Sequence, residues 1–369
     1  MKQKWIVKRI EDICEKASSN IAQNKLEGIT GDYPVFGASG FVQNADFYHR
    51  DSEYIGIVKD GSGVGRVNLY PAYSSLLGTM QYVLPKNGND IRYIAYALKS
   101  LNLASFASGA AIPHIYFKDY GKCELPVPPK DEQERIVAEL DLLTGVIEKK
   151  KAQLQEYDKL VQSIFYDMFG DPIENPKNWP IKRLGDVCSK LTDGTHNSPV
   201  NTPQGDYPYV TAKNIRKTGL DLSDLTYVSE EIHKEIYSRC NPEYGDVLYI
   251  KDGITTGIAQ VNTLTFEFSL LSSVALLKLK KDIANPYFIS VFLNNDSVYK
   301  KARSSMGGAA ITRLTLAKLK VFNVIVPPLA LQQSFADKIA SIEKQKAAIT
   351  QSIAETQKLL DYTMDKYFG

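Results

Sequence analysis

Two short stretches carry the residue types that could act on a phosphate or a base. Lys59-Asp60-Gly61 with Gly65, and Lys251-Asp252-Gly253 with Gly257, recur at a spacing of 192 residues. A lysine and backbone N–H groups on a Gly-rich loop suit phosphate oxygens, and Ser, Thr, Asn, His and Arg beside them suit base edges. The first stretch offers Lys59, Asp60, Ser62 and Arg66, with Ser108 and His114 around Gly109-Ala-Ala-Ile112. The second half offers Thr195, His196 and Asn197, then Lys213, Asn214 and Arg216, then Lys251, Thr255 and Thr256, and finally Arg303 and Ser304. The shared positions, Lys59 with Lys251 and Gly109 with Gly308, could equally hold the frame. Positions that differ are better placed to set what each half prefers to bind.

Catalytic constellations are missing from the sequence. Nucleotide hydrolysis needs G-x-x-x-x-G-K-[ST], whereas Gly61-Ser-Gly-Val-Gly65 is followed by Arg66. Adenine methylation needs an N-P-P-Y type motif, and Asn241-Pro-Glu-Tyr244 and Asn285-Pro-Tyr287 read instead as turn residues. The four cysteines show no CxxC spacing, and Cys14 and Cys188 read as small buried residues in a reducing cytoplasm.

These loops must be positioned by something, and the longest repeat supplies it. Residues 128–170 and 327–369 align without a gap at an offset of 199. Each opens with Pro-Pro and then steps its apolar residues by four and three. The first seam is Ile136, Leu140, Leu143, Ile147, Leu154, Tyr157, Val161, Ile164 and Met168, broken at Lys150. The second is Phe335, Ile339, Ile342, Ile349, Ile353, Leu360 and Tyr367, broken at Lys346, Thr356 and Thr363. A 3.5-residue period is a coiled-coil seam, and pairing the two rods antiparallel buries both. About 38 helical residues make a rod of roughly 57 Å.

The repeat extends beyond the rods. Trp5 to Cys14 matches Trp179 to Cys188, and Gly31-Asp-Tyr-Pro34 matches Gly205-Asp-Tyr-Pro208, both at 174; Gly109-Ala-Ala-Ile112 matches Gly308-Ala-Ala-Ile311 at 199. The copies therefore share a frame and differ inside it. The segments Tyr54–Val58, Val67–Tyr70, Met80–Leu84, Asp246–Ile250 and Val274–Leu279 read as strands. Asp90–Lys99 and Asn285–Asn294 read as helices with a capping residue at the start. Lys118–Cys123 leads into Leu125–Val127 before the first Pro pair, Lys318–Val326 does the same before the second, and each Pro pair stops the strand. The expected fold is α+β: two similar globular modules separated by two long helices in an antiparallel coiled coil, with an internal pseudo-two-fold. The boundaries are 1–127, first module; 128–170, central helix; 171–180, linker; 181–326, second module; 327–369, C-terminal helix. Such a chain resembles a ring cut once, and should tolerate circular permutation.

Hydrophobic content of 44 % with 23 % charge is that of a folded protein, and no apolar run reaches the ~18 residues of a membrane span. The N-terminus lacks the apolar core of a signal peptide, so a cytoplasmic location is expected. Net charge is +2, but the first rod from Asp131 has nine acids against five bases and the second is balanced. The positive excess thus lies in the modules, where a polyanion would bind.

This arrangement resembles the specificity subunit of type I restriction-modification systems. The resemblance covers nearly the whole chain: two modules, each entered by a W-x-x-x-[KR]-[IL]-x-[DE] segment, and two helices entered by P-P-x-x-x-Q with Gln133 and Gln332 aligned. The second module also carries Thr192-Asp-Gly-Thr-His196, Lys213-Asn-Ile215 and Gly245-Asp-Val-Leu248, similar to common target recognition domains. The first lacks these and resembles another subtype. The resemblance implies a non-catalytic reader of double-stranded DNA, each target recognition domain taking one half of a bipartite site. It implies two methyltransferase subunits docked on the helices and restriction (motor) subunits joining them. S-adenosylmethionine, ATP and Mg would then be held by those partners, with no cofactor or metal in this chain. Two other readings stay open: a coiled-coil scaffold with two protein-binding modules, and the reader of a fused methyltransferase-nuclease.

Overall fold

The computed structural model describes residues 5–86, 88–109, 112–304 and 313–369. The segments that carry the two Gly-Ala-Ala-Ile matches fall partly or wholly outside this set. In chain order the first half contains strands β1 (Ile6–Arg9), β2 (Cys14–Ser18), β3 (Tyr33–Gly37), β4 (Gly40–Ala45), β5 (Tyr54–Val58), β6 (Val67–Tyr70), β7 (Ser75–Leu76), β8 (Met80–Pro85) and β9 (Glu124–Val127). Its helices are α1 (Ile10–Ile13), α2 (Ile91–Ser100), α3 (Phe117–Tyr120) and the long α4 (Lys130–Phe169). The second half has β10 (Ile181–Arg183), β11 (Cys188–Asp193), β12 (Tyr207–Val210), β13 (Ile215–Arg216), β14 (Gly219–Leu220), β15 (Thr226–Val228), β16 (Val247–Ile250), β17 (Ala259–Val261), β18 (Ser269–Leu270), β19 (Val274–Leu279) and β20 (Asn323–Ile325). Its helices are α5 (Leu184–Val187), α6 (Glu230–Arg239), α7 (Pro286–Asn294), α8 (Asp296–Ser304), α9 (Leu316–Lys320) and the long α10 (Leu329–Phe368).

Packing divides the chain into two compact units, Met1–Lys151 with Thr350–Gly369, and Ala152–Ile349. The division falls within α4 and α10, so each unit owns one half of each long helix. In the first unit β2, β8, β5 and β6 form an antiparallel sheet, and β4, β3 and β7 a second, with β3 parallel to β7. In the second unit β11, β19, β16 and β17 repeat the first sheet, and β15, β12 and β18 repeat the second, with β12 parallel to β18. The two-stranded ribbons β1–β9 and β10–β20 correspond as well. The extra residues of the second copy make the β13–β14 hairpin and α6.

The middle strand shows how the core is built. Side chains along a strand alternate between faces. Ile55 and Ile57 pack with α2, whereas Tyr54 and Val58 pack with Leu76 of the smaller sheet. Val247 and Tyr249 face α7 in the same way, and Leu248 and Ile250 face the smaller sheet. Both strands are buried on both sides and are apolar throughout, apart from Gly56.

The rods pair antiparallel inside each unit. In the first, Arg135 donates to the Tyr367 hydroxyl at 3.1 Å and Lys150 donates to Ser352 and Thr356. In the second, Lys346 meets Asp158 at 2.8 Å and the Phe165 and Phe335 rings lie 5.7 Å apart. The breaks in the apolar seam at Lys150, Lys346 and Thr356 are thus places where polar groups bond across or along the pair. Near the end of α4 the buried residues are Phe165 and Phe169, while the seam residues Ile164 and Met168 are only half-buried. The face widens there because α4 covers α7 as well as α10: Phe169 lies 4.8 Å from Phe288. The first unit repeats this contact with Phe368 against Tyr93 at 5.3 Å. Trp5 stacks on Tyr367 at 6.1 Å, so the two described ends of the chain adjoin in the first unit.

The motif glutamine has a defined role in each unit. Gln133 is buried; its Oε1 accepts from Asp90 N at 2.8 Å and its Nε2 donates to Pro128 O and Asn89 Oδ1. Gln332 repeats this with Asn285 N at 2.9 Å, Pro327 O and Ile283 O. Asp90 and Asn285 are the N-caps of α2 and α7, each accepting from N–H groups of the first turn. The glutamine therefore ties the start of a long helix to the start of the helix that carries the module. The strands that end at the Pro pairs are β9 and β20, and the residues leading into them form single helical turns, α3 and α9.

Candidate nucleic-acid interface

The Lys-Asp-Gly loops leave the middle strand of the main sheet and return as its neighbour, and they are held identically. Val58 N donates to Arg66 O and Gly65 N to Val58 O; Ile250 N donates to Ile258 O and Gly257 N to Ile250 O. Gly61 and Gly65 sit at φ +82° and +85°, and Gly253 and Gly257 at +95° and +109°, in the left-handed region that favours glycine. A Cβ at Gly257 would also meet the Tyr299 ring at 2.6 Å.

A second segment closes on each loop. Ile115 N donates to Lys59 O at 3.0 Å, and Leu314 N to Lys251 O at 2.9 Å. This brings His114 onto the carboxylate of Asp60, and Arg313 to 3.7 Å from that of Asp252. His114 also bridges Ser108 through paired backbone bonds of 2.9 Å. Lys59, Asp60, Ser108 and His114 therefore converge in the first unit. Ser62 and Arg66 are exposed on the same loop, and Arg66 donates to Ala38 O of the β3–β4 turn at 3.1 Å. Arg313 was not among the sequence candidates; its equivalence to His114 at the offset of 199 is the signal that could have found it.

In the second unit three candidates point inward, which removes them from the surface offered to a ligand. Lys251 is buried, its ammonium held by Asp252 at 3.0 Å and by buried Asp193 at 3.3 Å. Asn214 is buried and forms a capping box with Thr211. Thr256 is fully buried and donates to Gly253 O at 2.7 Å. Each is a polar residue that the fold itself satisfies, as buried polar groups must be.

The others are accessible. Thr195 shapes its own loop by accepting from Asn197 N, and exposed His196 lies 3.4 Å from Asp193. Arg239 of α6 also reaches Asp193, and donates to Gly194 O at 2.5 Å. Lys213, just before the inserted hairpin, pairs with Asp224 at 2.7 Å, and Arg216 of the hairpin with Asp221 just after it at 3.7 Å. Thr255 is half-buried, and Ser304 is exposed at the end of α8. Arg303 donates to Ile254 O at 2.8 Å and Thr256 O at 3.2 Å.

Tyr299 joins these pieces, and sequence reading missed it. Lys217 of the hairpin lies 5.3 Å from its ring and Arg303 5.6 Å, so two cations share one aromatic face system. Gly257 packs against the same ring. The hairpin carrying Arg216, the Gly loop and α8 are thus one surface. Among the described residues no cluster of side chains could hold a metal ion, and no helix is long and apolar enough to cross a membrane. The arrangement can present cations, hydroxyls and N–H groups to an extended anion.

A family model described as the type I restriction modification DNA specificity domain matches residues 2–156 and 176–358. The type I restriction enzyme MjaIX specificity subunit of Methanocaldococcus jannaschii is 22 % identical, over 98 % of this chain and 92 % of its own. The EcoKI specificity subunit of Escherichia coli is 28 % identical, over 48 % of this chain and 39 % of its own. Among solved structures, the type I restriction-modification S subunit from M. genitalium superposes with a TM-score of 0.60 at 19 % identity, covering 99 % of this chain and 96 % of that one. A chain from a study of assembly and conformational transition of a type I system gives 0.51 at 18 % identity, covering 99 % and 97 %. At these identities the structural likeness speaks for the fold.

Proposed function

The chain belongs to the type I restriction-modification DNA specificity family, and we propose on that footing that it is the DNA-reading subunit of such a complex. Each module reads one half of a bipartite site in double-stranded DNA. The paired helices set the spacing between the halves and dock two methyltransferase subunits, with restriction subunits joining the assembly. The chain itself does no chemistry; S-adenosylmethionine, ATP and Mg belong to the partners.

The observation that carries this reading is the pair of matched Gly loops, clasped by the same backbone bonds yet tipped with different residues. One frame with two tips suits one task on two sequences. A scaffold with two protein-binding modules would have no need of cations gathered at both loops, Arg66 on one and Arg303 of α8 with Arg216 of the inserted hairpin beside the other. Each long helix has 40 residues and is about 60 Å long, more than the ~34 Å of one turn of B-form DNA.

The test is co-expression with the methyltransferase encoded beside this chain, followed by mass determination with and without duplex DNA. The expected result is one copy of this chain with two methyltransferases, binding duplex with a salt slope of several released counterions. A chain that remains alone and ignores DNA would favour the scaffold.

A further inference from the structure

Granted the DNA-reading role proposed above, we infer that Ile254 is the specificity-determining residue of the second module, reading the C5-methyl group of one thymine. Ile254 stands at the tip of the second Gly loop and is 91 % exposed, the most exposed of the large apolar residues described.

Its exposure is imposed by the loop. Arg303 grips the Ile254 carbonyl at 2.8 Å, and the hydroxyl and N–H of Thr256 both close on Gly253 O. Gly253 and Gly257 bracket the tip in left-handed conformations. Lys251 is anchored beneath by Asp193 and Asp252. With backbone and flanks fixed, the side chain cannot turn back to the core that buries Ile258 three residues after Thr255. The surroundings are cationic, with Arg303, Arg216 and Lys217 on the same surface.

An apolar side chain held outward in a cationic rim needs an apolar feature on a polyanion. In the major groove that feature is the thymine methyl, which no other base presents. The corresponding position in the first loop is Ser62, exposed on a loop with the same backbone bonds. A hydroxyl there donates to or accepts from a base edge. The two modules thus differ in kind at one matched tip position, hydrogen bonding against methyl contact.

The experiment uses the full chain assembled with its methyltransferases, after methylome sequencing has given the bipartite site. Thymines in both halves are replaced one at a time by deoxyuridine, which lacks only the methyl. Burying one methyl corresponds to about a four-fold change in affinity. Wild-type complex should lose that factor at one thymine of the second module's half. Ile254→Ala should lose a similar factor on unmodified duplex and nothing further with deoxyuridine at that position. Thymines in the first module's half should behave alike in both proteins. Because Ile254 is almost fully exposed, the variant should keep the wild-type Tm. Deoxyuridine losses that persist unchanged in Ile254→Ala, or no loss at any thymine of that half, would overturn the assignment while leaving DNA reading intact. A complex that binds no duplex would overturn the DNA-reading role itself, and this assignment with it.

Discussion

Replacing Gln332 by Leu should unfasten the second module from its helix. The two side chains have similar volume, so the loss is one of hydrogen bonds. Three disappear: Asn285 N to Oε1, and Nε2 to Ile283 O and Pro327 O. Gln332 is fully buried, so water does not replace them. An orphaned buried donor costs roughly 1–3 kcal/mol, and the two carbonyls add a smaller penalty, giving about 3 kcal/mol in all. For a unit of this size each kcal/mol moves Tm by roughly 2–4 °C, so the fall should be about 6–12 °C. The chain has two tryptophans, and they report the units separately: Trp5 stacks on Tyr367 in the first, and Trp179 donates to Phe169 O at 2.9 Å in the second. In a Trp5→Phe background, fluorescence melting of Trp179 should show the full shift for Gln332→Leu and a much smaller one for Gln133→Leu. In a Trp179→Phe background the order should reverse. A shift below ~1 °C for Gln332→Leu would refute the clasp as the reason for the P-P-x-x-x-Q motif.

Other perturbations follow from the same contacts. Phe165→Ala opens the aromatic cluster with Phe169, Phe288 and Phe335 and should cost about 3–5 kcal/mol by denaturant unfolding; a loss under 1 kcal/mol would contradict that packing. Burial pushes the thiols of Cys14, Cys188 and Cys240 up from 9.0 to about 12, and that of half-buried Cys123 upward too. Disulfide-exchange reagents at pH 8 should therefore label at most Cys123 quickly in the native protein and all four in denaturant. Since the folded thiols ionise above the unfolded value, the stability they contribute is present below about pH 9 and falls as pH rises towards 12, a loss that alkaline titration of Tm would detect or exclude. Arg313→Ala should leave Tm almost unchanged, because exposed Arg313 lies 3.7 Å from Asp252, which keeps Lys251 as its closer partner at 3.0 Å, and a loose pair with an exposed partner contributes only about 0.2–1 kcal/mol, yet it should weaken duplex binding; Arg313→His, the first module's residue at this place, should retain more of it. Equal affinity for wild type and Arg313→Ala would show that the clasp on Asp252 does not shape the surface.

The parts of this molecule legible in its sequence are those set by local pattern. Val67–Tyr70 and Val274–Leu279 are strands as their apolar runs predict, and Asp90 and Asn285 cap helices where capping residues stand before apolar periodicity. The rods follow from their heptads, and the left-handed glycines from their clustering. What escaped depends on partners far along the chain. Lys251 looks like a groove lysine until Asp193, distant in sequence, is placed beside it. Asn214 looks like a reader until its bonds to Thr211 and Asp221 are known. The seam shift to Phe165 and Phe169 depends on α7, and α6, though capped by Ser229, belongs to the residues inserted in the second copy and has no counterpart in the first to mark it. Tyr299 carries no local signal at all; its role exists only because a hairpin, a loop and a helix meet at its ring.

The claim at the centre is that each module alone chooses one half of a bipartite site. The direct test is methylome sequencing of cells expressing the assembled complex, with residues 1–127 native or exchanged for the first module of another family member. The account predicts a two-part motif in which the exchange alters one half and preserves the other half unchanged. A motif altered in both halves, or methylation of a single uninterrupted sequence, would contradict it.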